Sequence, residues 1–183
     1  MRRLLVVLLL ACPVLALVTA CGGSMYDPPD TDRANDVAFV TELMHRDAAL
    51  LNLLDVALGR RLDPSVASAT EQLRHDAIAR IEASAHQLET WGEKVPKTVR
   101  DHGFEHSSDG GDIPSLAGMP TGDDLHELGE VPPARFEEAF VALLRDSVEA
   151  TRDLAGNHTP DAESVQRLAR DAERSCDKAL DAL

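Results

Sequence analysis

An internal repeat is the feature that most constrains the fold of this chain. The stretch from Asp36 to Leu58 returns in a weaker form from Glu138 onward. The matching positions are Ala38-Phe39-Val40 with Ala139-Phe140-Val141, and Leu43 with Leu144. A short break and a second amphipathic segment follow each copy. Such a repeat indicates one supersecondary unit that is copied to cover its own apolar face.

Apolar residues recur at helical spacing in four segments, two in each half of the chain. Aromatic residues make up only 3% of the sequence, so the core must consist of Leu, Val, Ile and Ala, which suits packed helices. Glycines and prolines between the halves indicate a loop. We therefore predict an all-α, ferritin-like four-helix bundle over residues 36–183. Its helix pairs cover residues 36–92 and 134–183, and residues 93–133 form the connecting loop.

The N-terminus has the pattern of an export signal. Arg2 and Arg3 precede an apolar run that ends at Leu17, which is too short for a good membrane span. The following Val18-Thr19-Ala20-Cys21 resembles the lipobox of bacterial lipoprotein signal peptides. The resemblance implies that residues 1–20 are removed and that Cys21 is lipidated; an ordinary signal with an incidental cysteine is the alternative. Residues 21–35 are small, polar and proline-containing, which predicts a flexible tether.

The charge of the chain limits its partners. The formal net charge is -14, and no basic stripe with interleaved aromatic residues is present. We therefore do not expect the chain to bind nucleic acid, and its negative charge disfavours electrostatic docking on anionic lipid. The expected partners are the lipid bilayer, through the N-terminal anchor, and a protein of the cell envelope. The expected location is the extracytoplasmic face of the cell membrane.

The sequence contains few residues that could form a catalytic or cofactor-binding site. Cys12 and Cys21 belong to the targeting segment, which leaves Cys176 alone in the predicted bundle, where an inert buried thiol is favoured over a reactive one. No Ser-His-Asp or Cys-His arrangement can be assembled, so we expect neither an enzyme nor a cofactor.

Two groups of residues are weak candidates for metal binding. Glu42 and His45 have the Glu-x-x-His spacing of di-iron bundles, but the second half has no matching pair. His102 and His106 lie in the predicted loop, where an acidic segment without fixed geometry is the simpler interpretation.

The layout also resembles the bacterial family known as domain of unknown function 305, a ferritin-like bundle often found in exported proteins. The resemblance spans about residues 36–183 and rests on single residues and short motifs that are spread along this range. These are Asp36, Phe39 and Leu43-Met44, then Glu71-Gln72-Leu73 and Trp91-Gly92, then Gly118-Met119, Leu125, Leu128, Phe136 and Phe140.

The resemblance implies a metal site, for copper in some members, whose ligand positions this chain does not keep. The family's two His pairs fall on Arg46-Asp47 and on Ser147-Val148, with His45 one place early. Its Gln and Glu positions read Ala77 and Arg80 in the second helix, and Cys176 and Ala179 in the fourth; its methionine positions read Leu53, Ser84, Leu154 and Leu183. The resemblance thus supports the fold and argues against the metal site.

Asp47 is the exception among these replacements, because its position lies within the apolar stripe of the first helix. A buried carboxylate needs a partner, and Arg80 or Arg46 could supply it. We hypothesise a structural ion pair of Asp47 with one of these arginines in place of the metal. The favoured function is a membrane-anchored, non-enzymatic binding or interaction module. The alternative is extracytoplasmic copper handling, and a redox enzyme is a third, weaker interpretation.

The lipobox resemblance makes a direct prediction. Because two acyl chains on Cys21 suffice for stable anchoring, we expect labelled fatty acid to enter the protein and Cys21→Ala to release it from membranes. Fractionation of cells that express either form measures this. A membrane fraction unchanged by Cys21→Ala would refute the assignment.

Overall fold

The computed structural model describes residues 31–96 and 114–183, with side chains from Arg33 onward. The predicted signal peptide, Cys21, His102 and His106 lie outside these residues. The described parts of the chain form five helices and no strands, which confirms the predicted all-α class. The helices are α1 (Thr31–Val56), α2 (Pro64–Trp91), α3 (Gly122–Glu130), α4 (Pro133–Asn157) and α5 (Glu163–Ala182).

The four long helices form a bundle in the cyclic order α1, α2, α5, α4, and each packs on its two neighbours. The predicted helix pairs are the α1–α2 and α4–α5 hairpins. At the end of the bundle where the first hairpin turns back, Arg60 lies 4.6 Å from the ring centroid of Phe136 and donates a hydrogen bond to the Gly129 carbonyl at 2.6 Å. These contacts join the turn of the first hairpin to the start of α4.

The ends of α2 follow from local sequence. Asp63 caps its first turn by accepting a hydrogen bond from the Ser65 amide at 2.9 Å, and Pro64 occupies the first helical position. Gly92 ends the helix in the left-handed region at φ 74°, which favours glycine. Asp63-Pro64 and Gly92 therefore act as the start and stop signals of this helix.

Helix α3 differs from the prediction of a loop over residues 93–133. Thr121 and Asp124 form a capping box: the Thr121 amide donates to the Asp124 carboxylate at 2.7 Å, and the Asp124 amide donates to Thr121 Oγ1 at 3.2 Å. Leu128 is buried, and α3 packs on both α1 and α4. The helix has only nine residues between glycines and prolines, which is too short for its apolar period to be recognised in the sequence.

Helix α1 is buried on more sides than its apolar stripe predicts. Ala49, which the helical period places on the outer side, is 5% exposed, and Ala48 is fully buried. The reason is that α1 has three neighbours, because α3 covers the side that a four-helix arrangement leaves open. α1 also begins at Thr31, before the predicted boundary at Asp36.

A buried carboxylate joins α1 to the turn between α4 and α5. Asp36 is 1% exposed; one oxygen lies 2.9 Å from His158 Nε2, and the other accepts a hydrogen bond from the Ala162 amide at 2.9 Å. The His158 ring stacks on Phe39, with ring centroids 4.1 Å apart. Asp36 thus caps α5 from a different helix. No local pattern predicts this contact, because the partners are far apart along the chain.

Removal of this carboxylate should destabilise the bundle. Asp36→Ala removes the buried partner of both the Ala162 amide and His158, so we expect a loss of about 2–3 kcal/mol in the free energy of unfolding. Urea denaturation followed by helical circular dichroism measures it. Asp171→Ala, which removes an exposed carboxylate paired with Arg174, is the matched control and should cost less than about 1 kcal/mol. Equal losses in the two variants would contradict the role given to Asp36.

Candidate functional site

The centre of the bundle holds an ion pair between Asp47 of α1 and Arg80 of α2. Arg80 Nε donates to Asp47 Oδ2 at 3.0 Å, and Arg80 Nη2 donates to Asp47 Oδ1 at 2.5 Å. The two side chains are 1% and 4% exposed. The structure therefore brings together the predicted partners, and it does so in the bidentate geometry that a guanidinium offers a carboxylate.

Burial dominates the electrostatics of the pair. It raises the pKa of Asp47, against the opposing charge and hydrogen bonds of Arg80. For Arg80, burial acts to lower the pKa, but the carboxylate of Asp47 outweighs it and the pKa is raised. Because a guanidinium does not lose its proton in proteins, a neutral Asp47 would leave an uncompensated buried cation. We infer that both groups are charged at neutral pH.

The polar layer continues from α2 to α5. Ser175 Oγ donates to Asp76 Oδ2 at 2.8 Å, and Gln72 Nε2 donates to Asp76 Oδ1 at 2.8 Å. Partial burial acts to raise the pKa of Asp76, but the hydrogen bonds from Ser175 and Gln72 lower it. Sequence reasoning missed this link, since Asp76 and Ser175 carry no shared motif.

Cys176, next to Ser175, is 1% exposed. Burial raises the pKa of its thiol to about 12. Thiolates, not thiols, attack electrophiles and bind metals, so the side chain is inert near neutral pH. This agrees with the buried, unreactive thiol that its place in the helical stripe predicts.

Two other polar side chains of the interior bond within α4, and two further buried polar atoms lack a partner. Ser147 donates to the Leu143 carbonyl at 2.8 Å, and Thr151 donates to the Ser147 carbonyl at 2.9 Å, both within α4. Arg80 Nη1 and Ser84 Oγ are buried and have no hydrogen-bond partner among the described residues. The unpartnered Arg80 nitrogen is a cationic donor, which does not suit a metal ion at this position.

Arg46, the other arginine considered as a partner of Asp47, points elsewhere. Its Nε and Nη2 bind Glu42 Oε1 at 3.0 and 2.8 Å, and its Nη1 donates to the Ala117 carbonyl at 3.1 Å. Glu42 is therefore engaged by a cation and is not available in the Glu-x-x-His role. Burial lowers the pKa of His45, against the opposing charge of Glu42.

The residues at the ligand positions implied by the family resemblance do not fit a metal ion. Both oxygens of Asp47 are bound to Arg80, and the guanidinium would repel a cation beside it. Cys176 holds its proton, and metals need the thiolate. Across residues 33–96 and 114–183, no group of three or more His, Cys, Asp or Glu side chains is arranged to hold a metal ion.

If the ion pair is buried and charged, its single and double variants should differ in their free energy of unfolding. Asp47→Ala or Arg80→Ala alone leaves one buried charge unpaired, so each should cost about 3–5 kcal/mol of unfolding free energy. The double variant Asp47→Leu with Arg80→Met removes both charges and keeps apolar volume, so it should lie within about 1 kcal/mol of the wild type or above it. Urea denaturation measures all three.

The exposed pair of Arg174 and Asp171 is the control for this comparison. Its single alanine variants should change stability by less than about 1 kcal/mol, because exposed pairs contribute little. Single variants of Asp47 and Arg80 that cost no more than these would contradict the buried pair.

Comparisons by sequence identify no relative of this chain. No protein-family model matches the sequence, and no curated protein matches it. In the part of the chain that the structure describes, no helix combines the length and the hydrophobicity needed to cross a membrane.

A comparison with solved structures finds a similar fold. The fold of this chain is similar to the crystal structure of a DUF305 fragment from Deinococcus radiodurans, with a TM-score of 0.63 over 80% of this chain and 91% of that chain. The sequences are 18% identical over the match, so the likeness concerns the fold alone. The chain therefore has a DUF305-like helical fold.

Proposed function

We propose that this protein is an exported lipoprotein, held by Cys21 on the extracytoplasmic face of the cell membrane, whose bundle acts as a non-enzymatic binding or interaction module. The lipobox-like sequence before Cys21 supports the anchor. The DUF305-like fold supports a compact bundle behind it. The interior of that bundle supports a role other than metal handling.

The ion pair of Asp47 and Arg80 is the observation that carries this proposal. It occupies positions that the family resemblance assigns to metal ligands, and each charge neutralises the other. A buried bidentate pair is a structural element, because access to either group requires the helices to separate. The binding role is therefore assigned to the surface of the bundle and not to its centre.

The proposed anchor keeps that surface close to the bilayer. Helix α1 begins at Thr31, ten residues after Cys21. A fully extended segment of this length reaches about 35 Å at most. The partners expected from this placement are the lipid bilayer, through the acyl chains, and a protein of the cell envelope that the bundle contacts near the membrane.

The outer face of α2 belongs to this surface. This face carries charged and titratable residues at helical spacing, all of them exposed: Glu71, His75, Glu82, His86 and Glu89. With a net charge of -14 for the chain, the surface favours a partner with complementary positive charge. Such a partner would associate faster at low ionic strength.

A metal titration separates this proposal from copper handling. Residues Cys21 to Leu183 are purified without the anchor or a histidine tag and titrated with Cu(I), Cu(II), Zn and Fe(II) by calorimetry. Because the donors at the ligand positions are paired or protonated, we expect no stoichiometric binding tighter than about micromolar. The His45→Ala and His86→Ala variants should behave like the wild type.

Tight binding would change the conclusion. Stoichiometric binding that is lost in His45→Ala and kept in His86→Ala would establish metal handling through the Glu42–His45 region. His86 is a suitable control because it is an exposed histidine of the same bundle. Weak binding that both variants reduce equally would indicate only surface histidines.

A further inference from the structure

A segment before α3 lies across the seam between α1 and α4. It comprises residues 114–120, and we refer to it as the latch. Arg46 of α1 donates a hydrogen bond to the Ala117 carbonyl of the latch at 3.1 Å. The same guanidinium is fixed at its other edge by Glu42, so its direction toward the latch is set within α1. The Arg46 side chain is 8% exposed.

The latch also fits closely against α4. Gly118 has a φ of +78°, in the left-handed region. A Cβ atom at this position would lie 2.4 Å from the Ala150 Cβ and 3.4 Å from the Asp146 carbonyl oxygen. Glycine is therefore required here for two reasons, the backbone conformation and the close approach of α4. The closed position of the latch is thus specific.

Little else secures the latch from within. Ala117 and Gly118 are exposed, and Met119 is half-buried against the core. One backbone hydrogen bond, from the Met119 amide to the Leu116 carbonyl at 3.0 Å, closes its turn. Segments with few buried groups and exposed backbone open at a lower free energy than the core around them. By contrast, α1 residues such as Leu43 and Leu50 are buried in the core.

We propose that the latch is a conformational device: it opens and closes over the α1–α4 seam while the four long helices stay packed, and Arg46 holds it closed. Arg46 is a positioning residue in this account, since it sets the closed state through one carbonyl. Opening uncovers the buried guanidinium of Arg46 and the strip of α4 beside Ala150. This proposal does not depend on the lipid anchor or on the function of the bundle.

Hydrogen exchange of the full-length chain, read by mass spectrometry, tests the device. Exchange in residues 114–121 is compared with exchange in α2 and α5 for the wild type, Arg46→Met and Gly118→Ala. We expect each substitution to speed exchange of the latch about tenfold, through the lost hydrogen bond or the added Cβ, and to leave α2 and α5 unchanged. The matched controls are Arg174→Met, at an exposed arginine, and Gly156→Ala, whose Cβ would meet only the Glu173 carboxylate at 3.8 Å.

Three results would overturn the proposal. The first is a hydrogen-exchange rate in the latch that changes in parallel with the rates in α2 and α5 in the wild type and in every variant. The latch would then open only when the whole bundle unfolds. The second is latch exchange that neither substitution changes. The third is a wild-type Met119 amide that exchanges as fast as an unstructured peptide, since no closed state would then exist. If Gly118→Ala fails to fold, Arg46→Met and the wild type in low urea concentrations still decide between these results, because a local opening is insensitive to low urea.

Discussion

The buried ion pair between Asp47 and Arg80 is the main constraint on the geometry of the first hairpin, because one buried charge requires the other beside it. Two charges removed from water must meet in one geometry, and this fixes how α1 and α2 lie against each other at mid-height. An apolar layer would tolerate small shifts of one helix along the other, whereas a bidentate pair does not. The hydrogen bond between Ser175 and Asp76 adds a second polar contact between long helices, so electrostatics helps to specify this part of the bundle.

The two ends of the bundle are held by different means. At one end, Asp36 caps α5 and contacts His158, which joins α1 to the turn of the second hairpin. At the other end, Arg60 contacts Phe136 and the Gly129 carbonyl. Each contact links the two hairpins, and neither lies within one of them. The repeated units are therefore fastened together by polar contacts that the repeat itself does not contain.

Much of the fold could be predicted from the sequence because it depends on local chemistry. The apolar period, the Asp63-Pro64 start and the Gly92 stop of α2 each act within a few residues. Helix α3 could have been found from Thr121 and Asp124, which have the spacing of a capping box. Its short length and neighbouring prolines favoured a loop instead.

The site was only partly predictable, because its contacts join distant parts of the chain. Asp47 stood out since a carboxylate in an apolar stripe requires a partner, and Arg80 was one of two arginines that could reach it. The choice between Arg80 and Arg46 needed the structure, which gives Arg46 to Glu42 and Ala117. The pairing of Asp76 with Ser175 and of Asp36 with His158 had no local signal at all. Spacing can show that a polar group will be buried, but not which group will meet it.

The central claim is that a charged, self-sufficient Asp47–Arg80 pair fills the middle of the bundle. The carboxyl ¹³C chemical shift of Asp47 at neutral pH, recorded before and after addition of diamagnetic Cu(I), tests this claim most directly. The predicted result is the shift of an ionised carboxylate that Cu(I) does not alter, because both oxygens are bound to Arg80. The shift of a protonated carboxyl group, or a stoichiometric change of the shift when Cu(I) is added, would contradict it.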